Sequence, residues 1–328
     1  MKWNVRPKGL RDMEDAGRGK AGRISATWKA IVAHRTLYLF ILPVFVLALI
    51  FNYGPMVGVL MVFQDFDPMK GFFGSPFVGL DNLARLFKTP VFYKALRNTV
   101  VISSLRLCIE FPMPILFALL LNELRRARFK KIVQTISYLP HFISWVIVAG
   151  IWYKLLSIDN GVINEFLMFL GFVDEPVYFM QEQALFYPVI LFTSLWKGVG
   201  YGSIYYLAAI AGADPELYEA ANIDGAGRFR QALHITMPAM QGTIVLLLIF
   251  QISGLLNAGF HQLYTMGNIA TRELGDILDT AVLRILLTGR IRDMPLGAAM
   301  DFFKAVIGII LFVGANFLSR ALKQESII

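Results

Sequence analysis

At 328 residues, 56% of them hydrophobic and only 16% charged, the chain is too apolar for an ordinary soluble domain, where about a quarter of residues carry charge. A formal net charge of +8 would suit a nucleic acid, but the basic residues gather in short segments between apolar runs, which argues for topology instead. The single cysteine, Cys108, rules out a disulfide framework within the chain, and the four histidines match no metal-ligand spacing.

The first 35 residues form a basic tail with nine Lys or Arg and three acids. It is too long and too charged for a signal peptide's n-region, and no small-residue cleavage site follows it. An uncleaved tail is expected, with an interfacial helix at 24–33.

Six apolar spans follow, at residues 37–63, 96–122, 132–155, 184–211, 243–263 and 296–318. Each is about the length needed to cross a hydrocarbon core about 30 Å thick. The runs are continuously apolar, whereas a β-barrel would alternate in segments of about ten residues. Prolines and glycines inside them do not argue against helices, because both are common in transmembrane segments. The fold expected is all-α and polytopic.

The connections set the orientation. With the first tail inside, the inner segments carry eighteen Lys or Arg and the outer ones eight. Both termini are therefore expected in the cytoplasm. Two outer stretches, 78–87 and 276–287, are amphipathic and suited to lie along the membrane surface.

Charges also fall inside the spans. Arg106 and Glu110 are four apart in the second span, hence on one helix face and able to pair. Such a pair is either structural, at a subunit interface, or lines a pathway. Asp301 and Lys304 are three apart in the sixth span, where a structural role is favoured. Cys108 is expected to be a packed, inert thiol.

Between the fourth and fifth spans lies a polar island. Asp214 suits an N-cap and Pro215 the first helical position. Glu216 and Glu219 then favour the positive end of the helix dipole. Gly225 suits a turn with positive φ between this short helix and a second one starting near Ala226–Gly227. Two short helices joined in this way make a rigid knob. The small Ala220 and Ala221 admit a close backbone, and Glu219 offers a charge to a basic group. The competing reading is a capped loop that touches only lipid headgroups.

The string Glu219-Ala220-Ala221, then Asp224-Gly225-Ala226, then Ile235, Met237 and Pro238 resembles the EAA loop of permease subunits of binding-protein-dependent ABC importers. Met237 stands where that family usually has Leu, and Gly242 where it often has a second Pro. Asn52-Tyr53-Gly54-Pro55-Met56, Tyr138-Leu139-Pro140-His141-Phe142 and Leu195-Trp196-Lys197 are similar to the carbohydrate-uptake branch, in particular to permeases for oligosaccharides released from polysaccharides.

The resemblance implies a type I importer permease with six transmembrane helices, in a bacterial cytoplasmic (inner) membrane. It implies a tail at 1–35, a first helix and outer loop at 36–95, a transmembrane core at 96–319 and a tail at 320–328. Within the core, the coupling loop at 212–238 would dock on the ATPase through Glu219, Ala220, Ala221, Asp224, Gly225, Ala226 and Pro238. The partners implied are a related permease, two ATP-binding subunits and an extracytoplasmic solute-binding protein. ATP and Mg would sit on the ATPase, with no cofactor, metal or catalytic residue on this chain. Consistently, the chain has no P-loop, and its Gly198-Val199-Gly200-Tyr201-Gly202 stretch suits close helix packing. For a sugar pathway, ring faces and amides are the fitting chemistry, which makes Trp145, Trp152, Trp196, Gln251 and Asn257 candidates. Interfacial belts and helix-bridging amides compete for the same residues. A secondary transporter driven through Arg106 and Glu110 is the alternative, and it would be expected to show inverted repeats.

Overall fold

The computed structural model describes residues 33–288 and 293–321. Nearly all of the expected basic tail, interfacial helix and C-terminal tail lie outside the described residues. The described chain divides into one unit ending at Leu60 and a second beginning at Met61.

In the first unit, α1 (Arg35–Ala48) has no buried residue and runs into a π turn at Leu49–Tyr53. The chain then tightens into a 3-10 stretch, Gly54–Phe63. Pro55 has no N–H to donate to the preceding turn, so the α-helical ladder cannot pass through it unchanged.

The second unit is helical, and an isolated bridge between Gln64 and Phe77 is the one extended pairing among the described residues. Its elements begin with α2 (Asp81–Leu86), α3 (Pro90–Leu105), α4 (Pro112–Asn122), α5 (Ala127–Tyr138), α6 (Trp145–Leu155) and α7 (Val162–Phe169). They continue with α8 (Gln183–Ala211), α9 (Pro215–Ile223), α10 (Arg228–Gln231), α11 (Met237–Ser253), α12 (Phe260–Met266), α13 (Leu278–Thr288) and α14 (Met294–Ala321). The two amphipathic outer stretches are the short helices α2 and α13.

Among the described residues, four helical runs are long and apolar enough to cross a membrane: Arg35–Phe63, Pro90–Asn122, Arg228–Ser253 and Met294–Ala321. A fifth exists if the pair Ala127–Phe142 and Trp145–Leu155, bent by 105°, counts as one span. The break follows from Leu139-Pro140. Pro140 opens a 3-10 turn, Leu139–Phe142, and Ser144 then caps α6 by accepting the Ile147 N–H. The expected span at 184–211 is one helix of 29 residues, α8, but Lys197 and the Gly- and Tyr-rich stretch after it make it less apolar than those four.

The expected fifth span needs a correction. It does not run through 243–263, because the helix stops at Ser253 and Leu263 belongs to α12. Gly259 between them has φ +85°, and a Cβ there would fall 2.6 Å from the Arg106 guanidinium. The turn is thus shaped around a cation from another helix. A second correction concerns Cys108, which is exposed. It lies two residues from both Arg106 and Glu110, on the opposite side of the helix from the face they share.

Three buried clusters hold the second unit together. Ile102, Val148, Trp152, Phe186, Ile190 and Met266 join α3, α6, α8 and α12. Leu86, Phe92, Leu278, Leu296 and Met300 join α2, α3, α13 and α14. Ile115, Tyr206, Ile210 and Met240 join α4, α8 and α11. Buried amides pin the loops. Asn98 donates to the carbonyls of Glu273 and Asp276, and Asn164 donates to those of Ser157 and Val177 while accepting the Val177 N–H. Many large apolar side chains face outward, including Leu120, Val146, Ile309 and Phe317. So wide an apolar surface suits lipid or neighbouring subunits.

Lys304 does not rely on Asp301. Packing of α13 against α14 brings Asp279 to it, and the two form an ion pair. The glycine stretch of α8 packs closely, as expected, but through particular members. A Cβ on Gly200 would collide with the Ser137 backbone in α5, whereas one on Gly198 meets nothing within 4 Å. Gly200→Ala is therefore expected to lower thermal stability in detergent by about 1–3 kcal/mol despite its better helix propensity. Gly198→Ala should leave the melting temperature unchanged or higher. Equal effects at both positions would count against the contact.

Candidate functional site

The knob is built as its residues dictate. The Asp214 carboxylate accepts the Glu216 N–H at 3.0 Å, Pro215 occupies the first turn of α9, and Gly225 has φ +72°. The Gln231 amide ties the second helix back to the first, donating to Asn222 Oδ1 at 2.7 Å and to the Ala226 carbonyl at 2.9 Å. Tyr218 and Thr236 share a hydroxyl–hydroxyl hydrogen bond of 3.0 Å. Arg228 reaches Glu123 at the end of α4, at 3.4 Å from the carboxylate. The knob is thus fastened to two of the longer helices.

Its outward side is bare. Glu219, Ala220, Asp224, Gly225 and Pro238 are exposed, and Ala221 and Ala226 are half-buried. Ile223 and Phe229, apolar and 87% and 84% exposed, flank them. Charge, small residues and two open apolar side chains thus lie together on one exposed surface, and Ile223 adds to what sequence reasoning had singled out.

Further along α8 the helices enclose a cleft of about 360 Å³. Glu110, Ser194, Tyr205 and Gln251 supply its polar groups, with Phe111, Phe250 and others as apolar walls. Ser194, Gly198, Gly202 and Tyr205 fall at helical spacing on one face of α8, a pattern legible in the sequence that went unread. Glu110 Oε2 accepts from Ser194 at 3.0 Å and lies 3.9 Å from Arg106. Arg106 in turn donates to Gln262 Oε1, and Gln262 donates to Thr193 Oγ1 and the Ile190 carbonyl, each at 2.8 Å. Arg106 and Glu110 sit in a π segment, Arg106–Glu110, where the Phe111 N–H reaches Arg106 O instead of the regular acceptor. Such bulges recur at functional sites, and Pro112 just after it has no N–H to give.

Of the sequence candidates for the pathway, the cleft gathers Glu110 and Gln251. Trp152 is buried in the first cluster, edge-on to Trp196 at 5.6 Å and to Phe192 at 5.5 Å. Trp145 faces Lys197, whose ammonium lies 5.6 Å from the ring centre. Asn257 is exposed in the turn after α11, and its N–H donates to Gly254 O.

In the sequence Lys197 stands out only as part of the Leu195-Trp196-Lys197 string. It is buried, and its ammonium donates to the carbonyls of Pro140, His141 and Ile143 at 3.1, 2.6 and 2.6 Å. The carbonyls of His141 and Ile143 lie at the break between α5 and α6, and that of Pro140 also accepts the Ile143 N–H at 3.2 Å. An ammonium has three donors and here uses all three. Beside it, the His141 ring stacks flat on Tyr201 at 3.7 Å. No group of three His, Cys, Asp or Glu among the described residues is placed to hold a metal ion.

Comparison with known proteins places these features. The family model described as the binding-protein-dependent transport system inner membrane component matches residues 110–325. Protein LplB of Bacillus subtilis is 43% identical over 307 residues, covering 94% of this chain and 95% of that one. The polygalacturonan/rhamnogalacturonan transport system permease protein YteP of the same organism is 44% identical, covering 90% of this chain and 91% of its own. Among solved structures, a chain of a bacterial ABC transporter involved in the import of the acidic polysaccharide alginate superposes with a TM-score of 0.82 at 37% identity. The superposition covers 91% of this chain and all of that one. The bacterial alginate ABC transporter in complex with alginate pentasaccharide-bound periplasmic protein matches equally well, over 92% and 99% of the two chains.

Proposed function

The chain belongs to the family of binding-protein-dependent transport system inner membrane components, and on that premise we propose that it forms half of the pathway of an ATP-driven oligosaccharide importer. It is a multi-pass membrane protein and a permease subunit of an ABC importer. The rest of the proposal is finer. The chain crosses a bacterial inner membrane six times, with α8 and the bent α5–α6 pair among the spans and both termini in the cytoplasm. A related permease completes the pore. Two ATPase subunits, which hold ATP and Mg, dock on the knob, and a solute-binding protein delivers a carbohydrate derived from a polysaccharide.

The observation that carries this reading is the knob, rigidly tied at Asn222–Gln231 and Glu123–Arg228 yet bare at Glu219, Ile223 and Phe229. A capped loop resting on lipid headgroups has no need of those ties. In mechanism, closure of the ATPase dimer displaces the knob. Its ties carry that displacement into α4 and α11, which line the cleft, so that the pathway alternates between its two openings. The chain's part is mechanical: it binds, orients and gates.

The test is ATP hydrolysis by the reconstituted complex with the binding protein and a panel of oligosaccharides. Stimulation by some members of the panel is expected only when the binding protein is present. Hydrolysis indifferent to binding protein and saccharide alike would contradict the assignment.

A further inference from the structure

The relatives are named for both acidic and neutral saccharides, polygalacturonan and alginate on one side and arabinooligosaccharides on the other. We propose that the cleft between α4, α8 and α11 is a subsite for neutral saccharide units, with Glu110 the residue that selects against uronates, a proposal that rests on the carbohydrate reading above.

Among the described residues, Glu110 is the one charged side chain lining this cleft. Its partner Arg106 does not present its charge there. The guanidinium is turned toward α12, fixed by Gln262 and seated over the missing Cβ of Gly259. The cleft therefore meets the acidic end of the pair, with the cation behind it. Glu110 Oε2 accepts from Ser194, while Oε1 is buried with no hydrogen-bond partner among the described residues. The carboxylate therefore meets a ligand through its charge and through Oε2, which keeps a lone pair for a hydroxyl donor. Ser194, whose hydroxyl donates to Glu110, keeps lone pairs for a further hydroxyl. Gln251 offers an amide, and half-exposed Tyr205 offers a ring face to the C–H side of a sugar.

A uronate brings a carboxylate on every ring. Inside a cleft of this size it would stand near Glu110, and like charges in a confined, weakly screened site repel strongly. A neutral unit of the same linkage meets no such opposition. Glu110 is thus a specificity residue that acts by rejection as much as by attraction.

The first test needs no knowledge of the sugar. In the assembled complex carrying Cys108→Ser and Gln251→Cys, the new thiol is labelled with a cationic and an anionic methanethiosulfonate. The cationic reagent is expected to be favoured, and adding Glu110→Gln should lower the cationic-to-anionic ratio by about tenfold. A ratio unchanged by Glu110→Gln overturns the proposal. The second arm compares uptake of trigalacturonate with its methyl ester, which is neutral at the same linkage. Glu110→Gln should raise the acid-to-ester uptake ratio by about tenfold, and the binding protein's own preference cancels because the substitution is in the permease. An acid-to-ester ratio that does not move also overturns the proposal. A complex that imports no carbohydrate, while its labelling ratio still responds to Glu110→Gln, would instead remove the carbohydrate reading and leave the charge assignment standing.

Discussion

Glu219→Lys and Gly225→Val are each expected to reduce ATP-dependent uptake at least about tenfold while membrane insertion and assembly with the partner permease stay normal. The two act on different properties of the same surface. Glu219 is exposed on α9 and takes part in no described ion pair, so reversing its charge leaves the knob folded and changes only what a partner meets. Gly225 has φ +72° and no atom within 4 Å of a Cβ, so the harm from valine comes from backbone strain alone. A β-branched residue in the left-handed region costs about 1–3 kcal/mol, which the turn can relieve by re-aiming α9 against α10. Asparagine tolerates that conformation, and Gly225→Asn should retain most of the uptake. This contrast separates a conformational role from a role in direct contact. Normal uptake by both Glu219→Lys and Gly225→Val would sink the coupling assignment.

The second large effect is at Lys197. Lys197→Met is expected to destabilise the folded chain by several kcal/mol, because the carbonyls of His141 and Ile143 then lose their donor at about 1–3 kcal/mol apiece, while that of Pro140 keeps only the Ile143 N–H. Lys197→Arg should rescue poorly, since a planar guanidinium cannot converge on three carbonyls as an ammonium does. Trp145→Leu removes the ring beneath the cation and part of its packing on the first cluster, and should cost less, about 1–2 kcal/mol. Melting of the detergent-solubilised complex would rank the three. A Lys197→Met protein as stable as the parent would mean that water or lipid satisfies the elbow and that the ammonium is incidental.

Much of the fold was legible in the sequence because apolar runs and capping residues are local signals. Asp214, Pro215 and Gly225 specify the knob without outside help, and the structure forms it where they indicate. The failures share a different cause. Arg106 shapes the turn at Gly259 from more than 150 residues away in sequence, and no periodicity reveals that the expected fifth span must end before it. The role of Lys197 likewise has no local sign, because its partners are backbone carbonyls 54 to 57 residues earlier. The break at Pro140 was within reach, since Pro140 and the Ser144 cap are local, but the apolar run hid them. For the pathway, the pairing of Arg106 with Glu110 followed from their spacing, while the cleft depends on how α4, α8 and α11 pack. Of the aromatic candidates, Trp152 shows how a large ring inside a membrane protein serves the core as readily as a ligand.

The most direct test of the account is uptake of a labelled oligosaccharide into proteoliposomes that hold this chain, its partner permease and the ATPase subunits. The account predicts uptake only with ATP on the ATPase side and the loaded binding protein on the other, unaffected by collapse of ion gradients. Uptake without ATP, driven by a proton or sodium gradient, would contradict it and restore the secondary-transport reading of Arg106 and Glu110.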